Sequence, residues 1–308
     1  MRALVTGISG FVGSSLSNFL VSDGWDVTGF DQRKSDMISN IYVGSIHDQE
    51  ALTDVIRICQ PDVIFHLAGV IKSQQSKEYF IGNVLGTLSL FESLLETGLK
   101  PRVVIASSSA VYGPRLGKHP ITENFALRPA TDYAASKVAQ EVVARRFFLA
   151  YNFPVIIVRT FNLIGPGQPP NLACSSFAQQ IALAEHQKEN GVIKTGGLSA
   201  QRDFVDVRDA VQAYELLARK GTAGEAYNIC SGKAVSIHHC LDLLLGMATR
   251  HFRVELDTMR LQKNDVPVQT GSMRLVEKIT GWQPQISLKN SLSDLLNDWR
   301  ERVKSAVE

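Results

Sequence analysis

The sequence predicts an α/β fold, a doubly wound parallel sheet joined to a smaller, mixed α/β carboxy-terminal lobe. Short apolar runs rich in β-branched residues alternate with longer segments of helical period. The strand runs are apolar at every position, not every second one, as in sheets covered by helices on both faces. After Arg159 a breaker cluster, Gly165-Pro166-Gly167-Gln168-Pro169-Pro170, ends the regular alternation. In order, strands are expected over 3–5, 26–30, 63–67, 103–106 and 155–158, with helices over 11–22, 87–96 and 133–151. Pro129, Thr131 and Asp132 mark the entry of the last of these helices. Beyond the breakers, helical stretches are expected over 176–189, 209–219, 238–248 and 288–303. The expected division is a first domain over 1–165, to which 203–230 return, and a second lobe over 166–308. That lobe cannot cover its own apolar faces and is expected to pack over the carboxyl edge of the sheet.

The chain has 308 residues, enough for about two domains. Hydrophobic residues make up 44% and charged residues 20%, with 23 Gly and 11 Pro, which excludes collagen-like, low-complexity and disordered classes. A net charge of +2 is too small for general nucleic-acid binding driven by counterion release. Cys59, Cys174, Cys230 and Cys240 form no Cys-x-x-Cys pair, so neither a zinc knuckle nor a disulfide framework is expected, only buried thiols. His238-His239 has no third ligand at metal spacing, and no metal site is expected. Trp25, Trp282 and Trp299 are expected to pack rather than to stack on bases. The chain opens Met1-Arg2-Ala3-Leu4-Val5 without the apolar stretch of a secretory signal, and no window holds about 18 uninterrupted apolar residues. A cytoplasmic protein without a membrane span is expected.

Three blocks carry chemistry. Gly7-Ile8-Ser9-Gly10-Phe11-Val12-Gly13 follows the first strand and opens the first helix. Missing side chains let the backbone turn sharply and approach a pyrophosphate, whose charge sits at the positive end of the helix dipole. Asp31 ends the second strand about twenty residues on, where a carboxylate receives the adenosine ribose hydroxyls. Asp31 therefore favours NAD(H), whereas Arg33 and Lys34 would accommodate the 2′-phosphate of NADP(H). Second, Tyr133 and Lys137 lie one helical turn apart, on one face. A free phenol has a pKa of about 10 and shuttles protons poorly near neutrality; the ammonium of Lys137 is expected to lower it. Third, Ser107-Ser108-Ser109 follows an apolar strand, placing hydroxyls at the carboxyl end of the sheet, where Ser108 can hydrogen-bond a substrate carbonyl.

In this order the blocks resemble the extended short-chain dehydrogenase/reductase family, the NAD-dependent epimerase/dehydratase group of Rossmann enzymes acting on nucleotide-sugars. Supporting matches are His66-Leu67-Ala68-Gly69, Asn83 with Gly86-Thr87, Arg159-Thr160-Phe161-Asn162, Arg202-Asp203-Phe204-Val205-Asp206-Val207, Tyr227-Asn228 and Thr280-Gly281-Trp282-Gln283-Pro284. The resemblance implies that Ser108, Tyr133 and Lys137 are catalytic. It implies a cofactor site of Gly7, Ser9, Gly10, Phe11, Val12, Gly13, Asp31, Gln32, Arg33, Ile46, Leu67, Ala68, Gly69, Asn83, Ser107, Thr160 and Asn162, with Tyr133 and Lys137. Ser108, Ser109, Tyr133, Asn162, Arg202 and Arg274 are implied to hold the substrate, with Asn162 and Arg202 on its diphosphate and nucleotide. By the same resemblance His66 is structural.

Family dehydratases carry an acid two positions after the residue matching Ser108; here Ser108-Ser109-Ala110 has none, so dehydration is not expected. Phe161-Asn162-Leu163-Ile164-Gly165-Pro166-Gly167-Gln168, Arg202-Asp203-Phe204, Gly271-Ser272-Met273-Arg274 and Thr280-Gly281-Trp282 are most similar to the branch that reduces GDP-4-keto-6-deoxymannose to GDP-rhamnose. That branch often has Arg-Pro before the acid in the segment read here as Gln262-Lys263-Asn264-Asp265-Val266-Pro267, so Arg260 or Arg274 would supply the cation. Two alternatives stay open, an NDP-sugar 4-epimerase with tightly bound NAD and a non-catalytic dinucleotide-sensing scaffold. The intact Ser108, Tyr133 and Lys137 set argues against the second. Relatives pair through the helices at 87–96 and 133–151, and a homodimer is expected from apolar Phe91, Leu94, Leu95, Phe147, Phe148 and Leu149.

Overall fold

The computed structural model describes residues 1–34, 40–114, 119–261 and 266–306. The chain opens on β1 (Arg2–Thr6), α1 (Phe11–Ser22), β2 (Asp26–Asp31), β3 (Ile41–Val43), α2 (Gln49–Cys59) and β4 (Val63–His66). The short α3 (Ser76–Phe80), a π-helical turn (Ile81–Leu85) and α4 (Gly86–Thr97) lead to β5 (Arg102–Ser108). A 3₁₀ turn (Ser109–Tyr112) precedes α5 (Asp132–Tyr151), β6 (Val155–Thr160) and β7 (Asn162–Ile164). Then come α6 (Ala173–Gln187), β8 (Gly191–Thr195), β9 (Gln201–Asp206), α7 (Val207–Lys220) and β10 (Ala226–Ile229). The chain finishes through β11 (Ala234–Ser236), α8 (Ile237–Leu245), β12 (Phe252–Leu256), β13 (Val268–Gln269), α9 (Arg274–Thr280) and α10 (Leu288–Ser305).

Seven strands form one sheet in the order β10-β6-β5-β4-β1-β2-β3, with every pairing parallel. Strand order reverses between β1 and β4, and the carboxyl ends flanking such a reversal open a crevice. Successive residues of one strand enter opposite cores. Ala3, Val5, Val63 and Phe65 pack with α1 and α7, whereas Leu4, Ile64, Ile105 and Ile157 pack with α2, α4 and α5. Both faces are dry, which is why these strands read as apolar throughout.

β10 returns to the edge of this sheet beside β6, with Tyr227 opposite Val158. The second lobe is built on β9, which pairs with β7, β11 and β13, and on an apolar cluster shared by α6, α8 and α10. Trp25, Trp282 and Trp299 are buried packing residues; Trp282 Nε1 donates to Asp209 O and Trp299 Nε1 to Ser175 Oγ. Cys174, Cys230 and Cys240 are buried, but Cys59, at the end of α2, is only half-buried. Among the described residues no helix is long and apolar enough to cross a membrane. Of the apolar residues expected at a helix pairing, Phe91, Leu94 and Phe147 are inside the chain's own core, Phe91 stacking on Phe147 at 4.6 Å. Leu95 and Leu149 face outward.

Behind the crevice His66 is wholly buried, its Nδ1 2.9 Å from Thr6 Oγ1 and its Nε2 2.9 Å from Thr87 Oγ1. Burial, helped by the charge of Lys137, lowers its pKa to about 3, so the ring is neutral. The unfolded imidazole titrates near 6.5. Stability from the neutral ring is complete above that pH and is lost as pH falls toward about 3, because only the unfolded chain takes up the proton. The slope from this one group reaches about 1.4 kcal/mol per pH unit. Urea unfolding between pH 7 and 5 should therefore lose stability more steeply for the parent than for His66→Gln; equal slopes would refute the assignment.

Candidate active site

The glycine run shapes a turn between β1 and α1. Gly7 has φ +74°, and a Cβ there would lie 2.7 Å from Ala68 N; a Cβ on Gly13 would lie 2.2 Å from Gly7 O. Only glycine allows that approach. Gly10 is the N-cap of α1 and provides no side-chain acceptor, so the first turn of the helix, with Phe11, Val12 and Gly13, presents its positive end at the run. Asp31, at the end of β2, accepts from Ser9 N at 2.9 Å and from Arg33 N at 3.3 Å, while Ser9 Oγ donates to Arg33 O at 3.1 Å. A Cβ-free cradle, a helix N-terminus and a fixed carboxylate on one strand edge fit a dinucleotide's diphosphate and adenosine ribose. Gln32 Nε2 donates to Ser45 Oγ at 3.5 Å, and Ile46 is buried under Gly86. Leu67 N donates to Thr6 O and Ala68 N to Thr6 Oγ1, holding the chain close at β4's carboxyl end.

Thr131 caps α5, its Oγ1 accepting from Ala134 N at 3.1 Å, which sets Tyr133 in the first turn. Ser108 is the last residue of β5; its Oγ accepts from Ala110 N at 3.2 Å, and it lies beside Tyr133, close enough to act on the phenol. Burial raises the pKa of Tyr133, the Ser108 hydrogen bond draws it back, and Tyr79 adds to the rise. This corrects the expectation that Lys137 lowers it. Lys137 Nζ is buried and donates to Ala106 O at 2.8 Å and Gln140 Oε1 at 2.9 Å, and burial brings its own pKa down to about 8 against the pull of Glu141. The phenol is thereby kept protonated, the state a proton donor needs.

Several expected site residues face protein partners. Asn83 Oδ1 accepts from Val70 N at 2.8 Å, and its Nδ2 donates to Val70 O at 3.1 Å and Ser136 Oγ at 2.8 Å, beside Gly69. Ser107 Oγ donates to Glu141 Oε1 at 2.6 Å. Thr160 Oγ1 is 2.6 Å from Tyr214 OH. Ser109 Oγ donates to Gln269 Oε1 at 3.3 Å, and Gln269 Nε2 to Ser109 O at 2.9 Å.

Sequence reasoning missed the polar network behind them. Arg159 Nε and Nη2 donate to the Glu141 carboxylate at 2.9 and 2.7 Å, and Arg159 Nη1 to Tyr112 OH at 3.0 Å. Tyr112 OH donates to Asn228 Oδ1 at 2.7 Å. The signal was available: an arginine inside the apolar run of β6 requires a buried anion.

In the second lobe Asn162 Nδ2 donates to Asp203 O at 3.2 Å, and Arg202 Nη1 donates to Gln201 O and Val266 O. Asp203 gathers Ser231 N, Ser231 Oγ, Gly232 N and Gly271 N on one carboxylate at 2.7–3.0 Å. It thus ties β9, which carries Arg202, to the loop leading into Arg274, an exposed residue at the start of α9. Arg260 donates to Asp257 Oδ2 and Ser176 Oγ. Residues 262–265, where the Arg-Pro departure falls, lie outside the described residues. Among the described residues no group of three or more His, Cys, Asp or Glu could hold a metal ion.

Residues 3–230 match the NAD dependent epimerase/dehydratase family. The chain is 31% identical to a GDP-6-deoxy-D-mannose reductase of Pseudomonas aeruginosa over 98% of each chain, and 28% identical to a UDP-glucose 4-epimerase of Mycolicibacterium smegmatis over 98% and 99%. Among solved structures, RMD from Pseudomonas aeruginosa complexed with NADPH superposes with a TM-score of 0.88 at 30% identity, covering 98% and 99%. With the parallel sheet, the glycine cradle and the Ser108–Tyr133 contact, these matches place the chain in the NAD dependent epimerase/dehydratase family, as an NAD(P)-dependent oxidoreductase of the short-chain dehydrogenase/reductase type.

Proposed function

We propose that this enzyme reduces the C4 ketone of a nucleotide-linked 4-keto-6-deoxyhexose, specifically GDP-4-keto-6-deoxymannose to GDP-rhamnose, using NADH or NADPH. The observation that carries the reading is Ser108, at the carboxyl end of β5, set beside Tyr133 in the first turn of α5, with no carboxylate at Ser109 or Ala110 to drive a dehydration. Similarity to the Pseudomonas aeruginosa reductase supports it.

Gly7, Gly10, Gly13 and the first turn of α1 would hold the cofactor diphosphate, Asp31 the adenosine ribose, and Arg33 a 2′-phosphate where one is present. A nicotinamide held there would be the source of the hydride for C4. Ser108 donates a hydrogen bond to the C4 oxygen, and Tyr133, kept protonated by burial, gives that oxygen its proton as negative charge develops. Lys137, one turn along, is fixed by Ala106 O and Gln140 with its proton held weakly, since its pKa is about 8, and it returns a proton toward the phenol. Asn162 and Arg202 hold the substrate diphosphate, a task suited to a permanently charged guanidinium. Arg274 or Arg260 completes the nucleotide site.

A second reading is a 4-epimerase that retains its NAD, favoured by the full-length match to a UDP-glucose 4-epimerase. Cofactor that exchanges freely during turnover decides for the reductase. The enzyme acts in the cytoplasm as a homodimer joined through α4 and α5, on which Leu95 is 40%, Val142 61% and Leu149 76% exposed.

Tyr133→Phe should lower hydride transfer by about 10²- to 10⁴-fold. Its cofactor dissociation constant should stay within about twofold, since the lost hydroxyl serves the proton and not the diphosphate. Absorbance loss with NADH or NADPH across GDP-, UDP- and dTDP-linked 4-keto sugars measures both the rate and the substrate; full activity of the variant discards the assignment. Leu149→Glu should sediment as a monomer, and a dimeric variant would move the interface elsewhere.

A further inference from the structure

The loop that leaves β4 at the crevice is clamped at two points. Near its start, Asn83 of the π-helical turn takes both the N–H and the C=O of Val70. Farther on, Tyr79 of α3 does the same for Ser73: its OH accepts from Ser73 N at 2.8 Å and donates to Ser73 O at 3.2 Å. Ser73 is then fully engaged, because its Oγ donates to Glu78 Oε2 at 2.5 Å and accepts from Gln75 N at 3.0 Å. Between the clamps Ile71 is 69% exposed.

Both clamps also touch α5. Asn83 Nδ2 donates to Ser136 Oγ, and Ser76 Oγ, at the start of α3, donates to Asp132 Oδ2 at 2.6 Å. The ring of Tyr79 meets the ring of Tyr133 edge-on, centroids 6.1 Å apart and planes at 61°. This is the favoured aromatic arrangement. One side chain therefore has two separable attachments, its ring on the proton donor and its hydroxyl on the loop.

We propose that Tyr79 is a positioning residue, whose ring holds Tyr133 in place beside Ser108 and whose hydroxyl holds the Gly69–Gln75 loop as a wall of the substrate crevice. The two jobs predict different losses. Without the hydroxyl the wall loosens and the substrate is gripped less well; without the ring the phenol wanders and the proton is delivered less often. This inference rests on Tyr133 being the proton donor.

The test compares Tyr79→Phe and Tyr79→Leu with the parent and with Tyr133→Phe. Hydrogen exchange of the peptide spanning 69–76 reports the wall without turnover, and kcat and KM are measured with GDP-4-keto-6-deoxymannose and NADPH. Tyr79→Phe should exchange faster at Ser73 and raise KM about fivefold, as expected for loss of about 1 kcal/mol of hydrogen bonding, with kcat within twofold. Tyr79→Leu should show the same faster exchange and, in addition, lower kcat about tenfold or more, the effect of a misplaced catalytic group. Recovery of kcat by Phe relative to Leu separates the ring's role from simple destabilisation. Parental kcat in Tyr79→Leu, or parental exchange and KM in Tyr79→Phe, overturns the proposal. A fully active Tyr133→Phe overturns the proton-donor assignment and the ring's role with it. A parent inert on this substrate overturns only the C4-ketone reading and leaves the exchange arm to decide the clamp.

Discussion

A guanidinium and a carboxylate buried together fix the geometry on which the site depends. Arg159 belongs to β6 and Glu141 to α5, their side chains only 4% and 1% exposed, and Ser107 of β5 donates into the same carboxylate. Three elements thus share one charge pair: the helix that carries Tyr133 and Lys137, the strand that ends in Ser108, and its neighbour. Such a pair is not an efficient source of stability, since desolvating both ions offsets most of their attraction. Breaking it is another matter, because a lone buried charge costs several kcal/mol. Its value lies in direction. Two parallel N–H···O bonds hold α5 in one register against the sheet, and a slip by one residue would swing Tyr133 away from Ser108.

With the helix fixed, burial sets the chemistry of three groups in different directions. It raises the phenol of Tyr133, lowers the ammonium of Lys137 to about 8, and lowers the imidazole of His66 to about 3. In each case the neutral form is favoured, which is what desolvation does to any ionisable group. The outcome is a protonated phenol able to give up a proton, an amine whose proton is loosely held, and a histidine that serves only as a neutral bridge between Thr6 and Thr87. The lysine does not lower the phenol, because its ammonium, with a pKa of about 8, is already neutral at the higher pH where the buried phenol would ionise.

Much of this was legible in the sequence, and the rest was hidden for identifiable reasons. The strands of the main sheet are apolar on both faces and long enough to stand out, and α1 was placed over its full span because its glycine turn and period coincide. β3 and β13, of three and two residues, are too short to carry a period. α2 was overlooked although Leu52, Val55 and Ile56 make one buried face behind the Asp48 cap, a signal that was present. At the site, motif spacing placed Ser108 and Asp31 at strand ends and Tyr133 in the first turn of a helix, where the structure has them, since such positions depend on local order along the chain. It did not reveal that Ser107, Thr160 and Asn83 are turned toward protein partners, because Glu141, Tyr214 and Val70 lie far from at least two of them in sequence. Tyr79 escaped for the same reason, its partner Tyr133 belonging to another helix.

The second lobe repeats the logic with a different device. Asn162 and Arg202 sit on neighbouring strands β7 and β9, and β7, of three residues, could not keep its place through its own length. Asp203 supplies what length does not, a single buried carboxylate receiving four hydrogen bonds from the 231–232 and 271 segments. Burial raises its pKa and those donors pull it back, the Ser231 hydroxyl first and then the N–H groups of Gly271, Ser231 and Gly232, so the carboxylate's charge is met by neutral donors. A lysine or arginine partner there would also neutralise it, but at the cost of a second desolvated ion in the lobe. The same knot thereby ties β9, which carries Arg202, to the segment that leads into Arg274. In both parts of the molecule a buried carboxylate therefore ties together the elements that carry the candidate site residues.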